Sequence, residues 1–113
     1  MEKFAVGNVV LVSFPFSNLK GKKIRPALVL ARVEFNNLIL CQITSKPYSS
    51  RSAIRIESVD FEKGGLPVVS YVRPDKLFTA DVSIIEKASG ILTTKTKNDI
   101  LERVRNLFAS KGA

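Results

Sequence analysis

Apolar residues fall along this chain in short alternating or unbroken runs, and only the last run carries a helical period. Val9-Val10-Leu11-Val12-Ser13-Phe14 is β-branched and nearly all apolar; Gly7-Asn8 opens it and Pro15 stops it, which predicts a first strand. Residues 16–23 are polar around Gly21 and read as a hairpin loop. The second strand is predicted over 25–33. Its segment Ala27-Leu28-Val29-Leu30-Ala31 is apolar at every position, the pattern of a strand buried on both faces. Pro26 disfavours helix at Arg25 and fixes its own φ, so the arginine is expected extended, at the first residue of that strand. Asn36-Asn37 supplies a turn, and 38–44 returns antiparallel as the third strand. If that hairpin is tight, Arg25 and the residues just after Thr44 share one end of the sheet.

Beyond it, residues 45–52 form a second loop rich in hydroxyls and turn formers. Residues 53–57 alternate as a half-buried strand, 60–67 with Gly64-Gly65 read as a loop, and 68–72 as a fifth strand ended by Arg73-Pro74-Asp75. A short turn or bridge at 76–79 and a strand near 83–86 follow. Thr96 with Asp99 three residues on is a capping signal for a terminal helix, whose apolar face is Ile100, Leu101, Val104, Leu107 and Phe108. That helix is expected to pack across the open end of the sheet. Short strands with regular turns and one terminal helix describe a mainly β chain, a small and strongly curved β-barrel with a C-terminal α-helix. Periodicity alone does not separate an SH3-like barrel from an OB-type one.

Length and composition narrow this picture. The 113 residues fit a single domain, long enough to bury a core without staples. There is one cysteine, Cys41, inside an apolar run, which reads as a buried structural thiol in a reducing cytoplasm. Histidine is absent and no second cysteine exists, so the donor set of a zinc or haem site is lacking and no cofactor is expected. No signal peptide is visible at Met1-Glu2-Lys3-Phe4-Ala5, and no apolar run approaches the roughly twenty residues a membrane-spanning helix needs. A soluble, cytoplasmic protein is expected.

Charge adds a partner. The net charge is +8, and most of it is concentrated between Lys20 and Arg55, where Lys20, Lys22, Lys23, Arg25, Arg32, Lys46, Arg51 and Arg55 are opposed only by Glu34. A concentration of this kind suits a polyanion, either nucleic acid or an acidic peptide. Arg25, set by Pro26 at the rim of the sheet, is a candidate phosphate clamp, because a guanidinium donates two parallel hydrogen bonds to an oxyanion.

An ordered set of motifs carries a resemblance. Gly7-Asn8-Val9-Val10 with Phe14-Pro15-Phe16 is followed by Arg25-Pro26-Ala27-Leu28-Val29-Leu30 and Gln42-Ile43-Thr44-Ser45. Ser70-Tyr71-Val72-Arg73-Pro74-Asp75-Lys76-Leu77-Phe78 and the terminal helix complete it. This set resembles the MazF/PemK family of bacterial type II toxins over nearly the whole chain. The resemblance implies an SH3-like barrel that dimerises and cleaves single-stranded RNA at short sequences without a metal, leaving a 2′,3′-cyclic phosphate and a 5′-hydroxyl. It places the catalytic arginine on Arg25 and the catalytic threonine on Thr44; on chemical grounds alone, Thr44 or Ser45 is a candidate further hydrogen-bond donor to the phosphate. It also implies an antitoxin whose acidic, flexible C-terminal segment occupies the RNA groove.

Phe16, Ser17, Lys20, Lys22, Lys23, Lys46, Tyr48 and Arg51 are the RNA-binding candidates. The aromatics can stack on unpaired bases and the cations can grip phosphates without reading sequence. Phe14 reads more simply as core, and Arg73 with Asp75 equally as a turn stabilised by Pro74. Some relatives carry a carboxylate in the loop before the arginine; Lys20-Gly21-Lys22-Lys23-Ile24 has none. Two rival readings stand beside the nuclease: a non-catalytic SH3-like module that binds nucleic acid, and a toxin of the same fold that poisons DNA gyrase.

Overall fold

The structure is a computed structural model that describes residues 4–15, 22–47 and 51–109. Seven strands, β1 (Asn8–Pro15), β2 (Lys22–Val33), β3 (Asn37–Thr44), β4 (Ile54–Ile56), β5 (Phe61–Gly64), β6 (Ser70–Asp81) and β7 (Ile85–Leu92), form one antiparallel sheet in the order β4-β6-β3-β2-β1-β7-β5. The sheet curls into a half-barrel, and one helix, α1 (Thr94–Leu107), follows it. The chain is mainly β with a C-terminal helix, as its pattern predicts. The two outer strands, β4 and β5, are among the shortest, which leaves little open edge.

Both faces of the central strands are buried. Ala27 and Val29 of β2 point into one apolar cluster with Val10, Val12 and Leu40, while Leu28 and Leu30 point into another with Val9, Cys41 and Ile43. This is the two-sided burial that an unbroken apolar run implies. Phe14 is half-buried and meets Phe78 edge to face, with ring centroids 5.3 Å apart, so it is core as read from the sequence. Cys41 is fully buried, and burial first, then the Asp75 charge, pushes its thiol up to about 12. We expect a thiol reagent at neutral pH to leave Cys41 unmodified in the folded protein and to label it on unfolding in denaturant. Rapid labelling of native protein would show that β3 opens.

Several boundaries differ from expectation. Arg25 is the fourth residue of β2 rather than its first. The ladder with β3 ends at Ala27–Gln42, so the N–H that Pro26 lacks is needed by no pair on that side, and the strand runs on through it. The β2–β3 turn is one residue earlier than Asn36-Asn37. Asn37 N–H donates to the Glu34 carbonyl at 3.3 Å, and Phe35 and Asn36 both adopt φ 61°, a conformation propensity grants to asparagine but not to phenylalanine.

The 60–67 segment is not all loop: Phe61–Gly64 pairs with β7. Gly64 and Gly90 make that pairing possible, because a Cβ on Gly64 would collide with the Ser89 carbonyl oxygen and one on Gly90 would lie 2.8 Å from Gly65 N. The strand expected at 68–72, its stop at Arg73-Pro74-Asp75 and the turn or bridge at 76–79 are replaced by one long strand, β6, which begins at Ser70. Ile43 pairs with Val72 and Cys41 with Leu77, so residues 73–76 bulge out of the ladder instead of ending it, with Pro74 buried in the bulge. The strand expected near 83–86 begins at Ile85, after a 3-10 turn at Val82–Ile84.

The helix starts earlier than the Thr96 signal. Thr93 is the N-cap, its side chain accepting from Thr96 N–H at 3.2 Å. Ile100 is fully buried in the second cluster, with Leu101 and Val104 packed against it, so the helix covers that side of the sheet. Leu107 and Phe108, expected on the same face, are 44% and 69% exposed at its far end.

Candidate active-site groove

Four elements converge on one cavity of about 560 Å³, β1 contributing Leu11. β2 contributes Lys23, Ile24, Arg25 and Pro26; the end of β3 and the residues after it contribute Ile43, Thr44, Ser45 and Lys46; the connection from β5 to β6 contributes Leu66, Pro67, Val68 and Ser70. The meeting of β2 and β3 follows from the hairpin. The β2–β3 ladder ends at Ala27–Gln42, and just beyond it Arg25 and Thr44 both line the cavity. The register depends on one extra residue: Ala31 pairs with Ile39 but Val29 with Leu40, leaving Leu30 as a bulge on β2.

Arg25 is exposed, and among the described residues the ion pairs are Arg55–Glu57, Arg73–Asp75 and Lys95–Asp99, none of which includes it. Its charge is therefore available to a ligand. The Thr44 hydroxyl oxygen accepts from Lys46 N–H at 3.2 Å. That bond fixes the oxygen and leaves the hydroxyl proton to be donated, while Lys46 is held at the cavity by the same turn. Among the described residues no group of three or more His, Cys, Asp or Glu is placed to hold a metal ion.

Of the residues singled out from the sequence, Lys23, Arg25, Thr44, Ser45 and Lys46 line this one cavity. Arg51 is exposed and does not line it. Phe16, Ser17, Lys20 and Tyr48 lie outside the described residues, and Lys22 is described only as the first backbone residue of β2. Arg73 and Asp75 also stand apart from the cavity. They pair at 3.1 Å in the β6 bulge, where Ser52 Oγ donates to Asp75 at 3.4 Å. Burial pushes the Asp75 carboxyl up, but hydrogen bonds from Arg73, its own backbone and Ser52, with the Arg73 charge, outweigh it and hold the group below its ordinary value. Sequence reasoning missed the groove residues Leu66, Pro67, Val68 and Ser70. The turn signal at Gly64-Gly65, the strand expected from Val68 and the motif opening at Ser70 marked that region, but none gave a sign that the segment returns to the mouth of β2.

No curated protein sequence matches the chain. Solved structures share its fold. The endoribonuclease in complex with its cognate antitoxin from Mycobacterial species superposes with a TM-score of 0.74 at 14% identity, covering 100% of both chains. MazE-MazF (Form-II) from Deinococcus radiodurans gives 0.77 at 18% identity, over 98% of this chain and 100% of that one. Mycobacterium tuberculosis toxin MazF-mt6 gives 0.65 at 20% identity, over 90% and 98%. A family model described as the PemK-like, MazF-like toxin of type II toxin-antitoxin system matches residues 5–108, nearly the entire length. With that match spanning the strands that build the groove and the C-terminal helix, the chain belongs to the PemK-like, MazF-like toxin family.

Proposed function

We propose that this chain is the toxin of a type II toxin–antitoxin pair and a metal-independent, sequence-specific endoribonuclease acting on single-stranded RNA. The observation that carries this reading is an arginine free of ion pairs among the described residues, lining one cationic groove together with a threonine just past the end of the β2–β3 ladder. Internal cleavage of RNA joins the 2′-oxygen to phosphorus and breaks the bond from phosphorus to the 5′-oxygen. The 2′-proton is lost to a base and the departing 5′-oxygen gains a proton, leaving a 2′,3′-cyclic phosphate and a 5′-hydroxyl. Between these events negative charge builds on the non-bridging oxygens of a crowded phosphorane. Arg25 donates a forked pair of hydrogen bonds to those oxygens, and Thr44 and Ser45 add hydroxyl donors. The guanidinium serves here as a hydrogen-bond donor rather than as a base.

Lys23 and Lys46 hold the phosphates on either side. Lys20, Lys22 and Arg51 extend that grip, and Phe16, Ser17 and Tyr48 contact unpaired nucleotides. The protein works as a homodimer in the cytoplasm, where the single cysteine stays reduced. Its antitoxin supplies an acidic, flexible C-terminal segment that competes with RNA for the same cations.

The test is cleavage of a long single-stranded RNA in the presence of chelator. Cyclic-phosphate and 5′-hydroxyl ends, produced at the same rate with and without chelator, are expected. Binding should weaken steeply between low and physiological salt as phosphate contacts release counterions. RNA bound but never cut would favour the non-catalytic module, and affinity flat with salt would refute the phosphate-gripping role of the cations.

A further inference from the structure

Part of the groove is not used by the phosphate chemistry. Leu66, Pro67 and Val68 line the same cavity as Arg25 and Thr44, and Ile24 joins them. Val68 and Ile24 are 57% and 54% exposed, so this is an apolar surface open to solvent inside a cationic cleft. The backbone beneath it is tied at both ends. Gly65 N–H donates to the Ser89 carbonyl at 3.1 Å, and Ser89 Oγ donates back to the Gly65 carbonyl at 2.6 Å. At the other end the buried Ser70 hydroxyl donates to the Val68 carbonyl at 3.0 Å. Pro67 fixes φ between the two ties. Exposed apolar side chains on a backbone pinned in this way form a preorganised surface rather than a loop that folds onto whatever arrives.

A nucleotide has two chemically distinct parts, an anionic phosphate and a flat, largely apolar base. The groove has surfaces of the same two kinds lining one cavity, with Lys23, Arg25 and Lys46 for the first and residues 66–68 with Ile24 for the second. We propose that the strip Leu66-Pro67-Val68 is the specificity wall of the nuclease: it receives the face of the base next to the scissile phosphodiester and selects among bases by fit. The inference rests on the endoribonuclease reading above and deepens it. Phosphate contacts fix register on the strand without distinguishing sequences, so discrimination must come from surfaces that touch bases. Packing against a rigid apolar wall provides it through shape alone, the wall's contour favouring one ring size over the other. Ser70 is a positioning residue for that wall, since its hydroxyl holds the Val68 carbonyl.

The experiment uses a pool of single-stranded RNAs randomised on both sides of one cleavage site, cut by the wild-type protein and by Val68→Ala and Val68→Asp, with the new 5′-hydroxyl ends sequenced. Because Val68 is exposed, both variants are expected to melt as the wild type does. Preference at one flanking position should fall roughly fivefold or more in Val68→Asp and to a lesser extent in Val68→Ala, with the other positions unchanged. An unchanged sequence profile in both variants, at any rate of cleavage, overturns the assignment. So does an unchanged profile combined with lost affinity for a synthetic Glu- and Leu-rich peptide, which would make the strip a docking wall for the antitoxin segment. Wild-type protein that cuts no member of the pool removes the endoribonuclease reading itself, and the specificity wall with it.

Discussion

Replacing Arg25 with alanine is expected to slow RNA cleavage by about a hundredfold or more, while leaving the melting temperature of the protein unchanged. The size follows from the loss of charge-assisted donors at the atoms where negative charge develops; removing a single such donor costs about 3 kcal/mol of barrier. The absence of a stability effect follows from its position, since the side chain is exposed and forms no ion pair among the described residues. Arg25→Lys separates charge from geometry: it keeps the cation but loses the planar fork, and should recover only a fraction of the rate. The measurement is single-turnover cleavage of a short RNA at saturating enzyme, beside a thermal melt of each variant. An Arg25→Ala protein that cleaves at the wild-type rate would move the chemistry elsewhere, with the Arg73–Asp75 pair the next place to look.

The largest effect on folding is expected at Ile100. It is fully buried, and it joins the helix to the cluster containing Leu28, Cys41, Val72 and Leu92. Ile100→Ala removes the central apolar contact between helix and sheet and should cost about 2–5 kcal/mol, a large share of the roughly 5–15 kcal/mol by which domains are stable. Leu107→Ala is the matched control, because that side chain lies on the same helix but is 44% exposed and should cost little. Urea titration followed by circular dichroism reads both. Equal losses in the two variants would mean that the helix is held along its whole length, contrary to the burial pattern.

The sequence revealed most where one residue type had one physical use. The unbroken apolar run from Ala27 to Ala31 pointed to a strand buried on both faces, and a tight hairpin after it was enough to expect Arg25 and the end of the third strand at one end of the sheet, although the Leu30 bulge that sets their phase was not visible. It revealed least where distant segments decide local shape. Propensity assigns a turn to Arg73-Pro74-Asp75, but the β3 partner continues past it, so the chain bulges and stays in the sheet. Gly64-Gly65 reads as a loop; the close approach of Ser89 and Gly90 makes the preceding residues a strand. Phe35 takes a backbone conformation that no local rule would give it, because Asn36 is also tied by its carbonyl to Val82 N–H. The groove's apolar strip was hidden for the same reason. Nothing in Leu66-Pro67-Val68 itself says that it comes back to β2.

The bulge at Leu30 sets the phase between the two strands that carry the proposed chemistry. Were Leu30 drawn into regular pairing, every β2 residue toward the groove would slide by one step, and Ala27 would pair with Ile43 in place of Gln42. The same slip would turn the alternating side chains of β2 over, exchanging the occupants of the two apolar clusters. Packing of the interior thus polices the alignment of the groove: β2 and β3 could enter it out of step only in a molecule whose core no longer fits, so the chain would lose its fold before the groove lost its alignment.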